Sequence, residues 1–295
     1  MKYATVFTLL AGLSSAVLAQ NPYGSNTDFA KFAAHLREKS LLKLEPQVII
    51  PTERAKTLYP WKKDIVATVF WVGELATQNN PVHNLSSSWD LTWKSSFGGY
   101  DDPKDRVGLQ NGGSIPRAFV PKENPFYVAL PYNDRMSSGF KPEAAQVIPW
   151  FKVEFARRGN ESVCRDRWIT IRKKLPGGSQ RVCYAQWSDC GPFRTDHFEY
   201  VFGSDRPRPN LNGGAGLDVS PAVRDFLGLA NTDVVDWCFV EDTDVPLNGP
   251  WADFGSNNQV AQRKQRTPGA TLVQNVKPQP KKARSADDEP AVDAR

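Results

Sequence analysis

The sequence predicts an all-β domain with a minor α component. Three observations carry this. Short runs rich in β-branched and aromatic residues recur from Ile65 to Val240, clusters of Gly, Asn, Asp and Pro punctuate them, and one well-signalled helix interrupts the second half.

The chain has 295 residues, a formal charge of +5 and four cysteines. Its first residues carry Lys2, an apolar run from Ala4 to Leu13 and Ala19 ahead of Gln20. That is the pattern of a secretory signal peptide over 1–19, which implies a secreted or periplasmic protein. The run is too short to span a bilayer, so no membrane span is expected. In 20–63, Phe29, Phe32, Ala33, Leu36 and Leu41 form one helical stripe capped by Asn26 or Thr27, followed by a proline-bearing linker.

The barrel-like region is expected over 64–254. Ile65–Val72, Phe126–Leu130, Trp150–Phe155, Trp168–Lys173, Val182–Trp187 and Val234–Val240 supply six strands. Trp168–Lys173 and Arg181–Trp187 read as a hairpin turning at Leu175–Ser179. Between Ala76 and Pro125 lies a long polar stretch, of a length that favours a functional role. Ser220, Pro221 and Gly228 mark the cap, first turn and end of the helix. From Gly255 to Arg295 the chain is polar, proline-dotted and nearly free of aromatics, which reads as a disordered tail.

Export makes disulfides the expected use of Cys164, Cys183, Cys190 and Cys238. Three pairings are possible, and the hairpin favours Cys164 with Cys183 and Cys190 with Cys238. The cysteine spacings lack a zinc pattern and the three histidines are scattered, so neither metal nor cofactor is expected. The modest charge argues against a nucleic-acid partner.

Two acids stand where strand patterns break beside glycine-rich turns: Asp189 in SDCGPF and Asp218 in GLDVSPAVRDFLGL. Strand ends are where a scaffold aims a side chain into a cleft. The simpler reading has Asp189 accepting hydrogen bonds within its turn and Asp218 capping the following helix.

These segments, with Trp71 and Gly73 at the end of the first strand, resemble the double-psi β-barrel of the rare lipoprotein A type, shared more distantly with expansins, barrel-fold endoglucanases and lytic transglycosylases. Asp189-Cys190-Gly191-Pro192-Phe193 is similar to that family's Asp-Arg-Gly-Pro-Phe motif, and Leu217-Asp218-Val219-Ser220 to its Ile-Asp-Leu-Ser motif. The resemblance implies a six-stranded double-psi barrel whose groove takes a polysaccharide such as peptidoglycan. It makes Asp218 the general acid, with Asp189, Asp101, Asp102 or Asp90 as the second carboxylate. Trp71, Tyr100, Trp187 and Trp237, with Trp89 and Trp93, are the aromatic candidates for stacking on sugar rings. An expansin-like module that binds or loosens the wall without catalysis is the competing expectation. Cys190 replaces the motif's Arg, and the insertion Phe193–Gly216 is longer than the family's. His197 within it is a candidate ligand or catalytic group, or a plain loop residue.

Overall fold

The computed structural model describes Lys31 and residues 59–77 and 82–267. The expected signal peptide over 1–19, nearly all of the segment 20–63 expected to hold a helix and linker, and the chain after Thr267 lie outside the described residues.

Six strands close a barrel: β1 (Lys62–Val69), β2 (Tyr127–Leu130), β3 (Trp168–Lys174), β4 (Gln180–Cys190), β5 (Leu217–Val219) and β6 (Thr232–Val240). Around the barrel they run β1-β6-β3-β4-β2-β5 and back to β1. β1 with β5 and β2 with β4 are parallel pairs, and the other four are antiparallel. Closure leaves no exposed sheet edge. The interior is filled from every strand, by Ile65, Val128, Ile169, Ile171, Trp187, Leu217, Val219, Val235 and Trp237, all buried.

Five of the predicted strands are present. The β3–β4 hairpin turns where expected, with Leu175 N–H donating to Ser179 O at 2.9 Å. The sixth is a correction: Trp150–Phe155 is not a strand, because Phe151–Arg158 forms a helix, α3. Its apparent alternation of apolar and charged residues is also helical. Phe151 and Phe155, four apart, stack at 5.7 Å against Phe140, while Glu154 accepts from Arg157 and Arg158 at 2.6 and 2.9 Å. The true sixth strand, β5, has only three residues.

Two short helices, α1 (Trp93–Phe97) and α2 (Ala144–Val147), precede α3, and α4 (Phe198–Val201) follows α3. Then α5 (Pro221–Leu227) has the predicted cap: the Ser220 hydroxyl accepts from Val223 N–H, and Gly228 closes the helix at φ 68°.

A last helix, α6 (Gln259–Arg266), corrects the disordered reading of the first part of the tail. Asn258 caps it, Val260 and Ala261 are buried, and the nearly buried Lys264 pairs with Asp253. Neighbouring Asn257 and Gln259 bond Asn124, Gln186 and Trp168. A mean composition conceals about two turns of helix with enough specific partners to dock.

The segment before β2 is also built. It carries α1 and a two-stranded ribbon, Arg106–Gly108 with Ser114–Pro116. Phe70, Val72, Trp93, Phe97 and Phe119 make a second apolar cluster on the outward face of Tyr127 and Ala129.

The four cysteines are free thiols, which overturns both expected bonds. Cys183 lies opposite Ile171 on β3, seven residues before Cys190, roughly 23 Å along the strand. Cys164 is tied to the other end of β4, since Asp166 N–H donates to Trp187 O at 2.9 Å. Cys238 is in register with Thr170, which faces Tyr184, so it is on the opposite sheet face from Cys183 and about six residues from Cys190. Bridging requires Cα atoms within about 7 Å, which neither expected pair meets.

Candidate active site

The functional geometry starts from barrel register. Val69, Val219, Val128 and Trp187 are successive neighbours across β1, β5, β2 and β4, and all but the half-buried Val69 are buried. The adjacent row is Thr68, Asp218, Ala129 and Asp189. Side chains of adjacent rows point to opposite faces, so the second row looks outward.

Asp189 should share the inward face of Trp187, two residues earlier. A bulge prevents it. Val128 pairs with Trp187 but Ala129 pairs with Asp189, leaving Ser188 unopposed. That surplus residue turns Asp189 from the core to the face of Asp218. The Trp187 indole stays inside and donates to Asp189 O at 2.7 Å, fixing the bulge from beneath.

The outward row forms the floor of a cleft of about 1020 Å³. Its walls include Trp71, Glu74, His83, Asn84, Ser88, Lys104, Phe193 and Arg224. The segment between β1 and β2 therefore supplies one wall, and the insertion after Cys190 supplies part of the rim. Phe193 is exposed there at 47 %.

Three carboxylates meet in this cleft. Asp218 is half-buried and accepts from the Thr68 hydroxyl. Asp189 is buried, its Oδ1 accepting from the N–H groups of Ser88 and Cys190, each at 2.7 Å. Glu74 is buried and accepts from Asn84 Nδ2 at 2.9 Å. Gly73 makes the turn that delivers it, at φ 87° with the Tyr100 ring 2.8 Å from where a Cβ would sit. Asn84 in turn clasps that turn through Gly73 N–H to Asn84 O, 2.7 Å, and Asn84 N–H to Glu74 O, 2.8 Å. The strap Asn84–Ser88 thus holds Glu74 at one end and Asp189 at the other.

Burial pushes the Asp218 carboxyl up to about 7; the Thr68 hydroxyl works against the shift, while Asp189 and Glu74 add to it. Asp189 is also raised by burial, moderated by its two backbone donors and Ser88. A carboxylic acid still protonated near neutrality, beside other acids, is the arrangement general-acid chemistry requires.

The structure brings together Asp218, Asp189 and Trp71 from the expected set. Glu74 was not among the expected residues. It follows Gly73 at the end of an aromatic-rich strand, the same strand-end signal that marks Asp189, but its place depends on pairing with Asn84.

The other expected residues are elsewhere. Asp101 is fully buried in an ion pair with Arg106 at 2.5 Å and accepts from the Tyr127 hydroxyl at 2.7 Å. Asp102 and Asp90 accept backbone N–H groups two residues on, from Lys104 at 2.8 Å and Thr92 at 2.7 Å, as loop acids do. Trp187 and Trp237 are core residues, the latter donating to the Tyr200 hydroxyl at 2.8 Å, and neither can stack on a ligand. Tyr100 is exposed behind Trp71 and accepts from its Nε1 at 3.2 Å, orienting that indole rather than lining the cleft. Trp93 is buried and donates to Glu123, and half-buried Trp89 donates to Asn133. His197 is buried against Tyr200, outside the cleft lining.

Among the described residues no helix is long and apolar enough to cross a membrane. No family model, curated protein or solved structure matches the chain.

Proposed function

We propose that this is an exported protein that cleaves glycosidic bonds of an extended polysaccharide such as peptidoglycan, on a barrel of the double-psi type resembling the rare lipoprotein A and expansin-like proteins. The observation that carries this reading is the Asp218 carboxyl, pushed up by burial to about 7 on the floor of the cleft and in register, across Ala129, with Asp189.

In this reading Asp218 donates its proton to the leaving glycosidic oxygen. The Thr68 hydroxyl holds the carboxyl in place. Asp189 is the second acid. It lies two strands from Asp218 across Ala129, on the same outward face of the barrel. Glu74 acts through its charge, helping to keep the proton on Asp218. Trp71, half-buried and oriented by Tyr100, offers its face to a sugar ring, and Phe193 lies on the rim.

The exposed aromatic rim also supports a second reading, a wall-binding module that uses the cleft without catalysis. Incubation with insoluble murein sacculi and mass analysis of the soluble fraction separates the two. We expect wild-type protein to release fragments, with reducing ends for hydrolysis or anhydro ends for a lytic reaction. Asp218→Asn should still sediment with the sacculi but release nothing. Equal release by this variant removes Asp218 from the reaction, and binding without release by wild type leaves the non-catalytic module.

A further inference from the structure

We propose that Cys164 and Cys190 are a redox pair whose disulfide fastens the Asp189 turn to the loop before β3. The inference is independent of what the cleft binds.

The juxtaposition comes from the backbone. The turn Cys164–Arg167, closed by Arg167 N–H to Cys164 O at 3.2 Å, is stitched to the end of β4 by Asp166 N–H to Trp187 O, 2.9 Å, and Trp187 N–H to Arg167 O, 2.7 Å. Asp134 holds the chain just before it, accepting from the Ser162 hydroxyl and Val163 N–H at 2.7 Å each. Asp134 also sits one residue after Asn133, whose N–H donates to Thr195 O in the segment leaving Cys190.

Side-chain direction agrees. Cys190 is in register with Leu130, one row beyond Ala129 and Asp189, and so on the face of buried Leu130. Cys164 belongs to the same buried core cluster as Leu130. Burial raises both thiols well above the ordinary range, and the nearby Asp134 carboxylate adds to the shift in each. Cys183 and Cys238 have no such partner, being on opposite faces of the sheet with β3 between them.

Of the four cysteines Cys190 is the one that is not fully buried as a residue, and it borders the cleft. With oxidised glutathione as oxidant, the Cys190 thiolate attacks one glutathione sulfur and expels a glutathione thiolate. Cys164, losing its proton, then attacks the Cys190 sulfur of the mixed disulfide and expels the second glutathione. The protein loses two electrons and two protons, and one glutathione disulfide becomes two thiols.

The test uses the full chain incubated with oxidised glutathione, alkylated, digested without reduction and mapped by mass spectrometry. The expected product is one peptide pair joining Cys164 to Cys190, two hydrogens lighter than the separate peptides, with Cys183 and Cys238 alkylated after unfolding. Dithiothreitol should lower Tm by roughly 5–10 °C, from the loop length and domain size. The Cys183→Ser/Cys238→Ser double variant should keep both the bond and that shift, and Cys190→Ser should lose both. A bond involving Cys183 or Cys238, or four alkylated thiols in the oxidised wild type, overturns the proposal.

Discussion

Replacing Asp218 by Asn should make the protein more stable at alkaline pH while removing its acid. The native carboxyl titrates at about 7 against an ordinary 3.8, so between those values the folded state binds more protons than the unfolded chain. Stability conferred by this group is therefore greatest below pH 3.8, falls as pH rises, and levels off above 7. The cost relative to a neutral side chain is about 2 kcal/mol at pH 5 and about 4 kcal/mol at pH 8. Asn keeps an oxygen for the Thr68 hydroxyl and carries no charge to desolvate. Urea unfolding at the two pH values should show the variant's advantage over wild type growing by about 2–3 kcal/mol from pH 5 to pH 8. Titration of groups remote from the cleft cancels in that difference, while relief of Asp189 and Glu74 from the Asp218 charge adds to the variant's advantage at the higher pH. An advantage that stays constant across the window refutes the raised pKa of Asp218 and with it the general-acid assignment.

Asp189→Asn removes a charge that raises the Asp218 carboxyl, so any residual cleavage should show its alkaline limb at lower pH than wild type; a pH–rate profile on sacculi checks this. Glu74→Gln should move the limb the same way while keeping an acceptor for Asn84, and an unmoved limb in both variants excludes electrostatic coupling among the three acids. Asp101→Asn leaves the buried Arg106 guanidinium with only its longer contact to Asp225, 3.4 Å, and should cost about 2–3 kcal/mol in denaturant unfolding, whether or not cleavage is measured. Asn258→Ala removes the α6 cap and the acceptor for Ala261 N–H, with an expected loss of about 1 kcal/mol or more of stability by the same assay. Trp71→Ala should weaken sedimentation with sacculi at unchanged Tm, as its indole is oriented by one exposed tyrosine rather than by the core.

Much of the barrel was legible because its strands are long and β-branched. The β3–β4 hairpin and the Ser220 cap carry local signals that tertiary context had no reason to override. The helix at Phe151–Arg158 was misread because alternation over six residues fits either period until Glu154 meets Arg157 and Arg158. β5 was missed as a strand because three residues leave no pattern, even though Asp218 within it was recognised. Asp189 was found for an incomplete reason: its turn was visible, but the Ser188 bulge that aims it outward appears only in the pairing with Val128 and Ala129. Glu74, the buried roles of Asp101, Trp187 and Trp237, and the separation of the expected cysteine pairs all depend on contacts between residues distant in the chain. The docked helix after Asn258 was hidden by the polar character of its surroundings.

The bulge has one further consequence. Because a single unopposed serine decides which way Asp189 looks, shortening β4 by one codon would turn that carboxylate toward the hydrocarbon interior or force its strand to slip. A pair of acids on this scaffold can thus be dismantled by an in-frame deletion that touches neither acid. Proteins sharing the barrel would then be sorted into acid-bearing and acid-less forms by the spacing between the tryptophan and the aspartate, rather than by the presence of either residue.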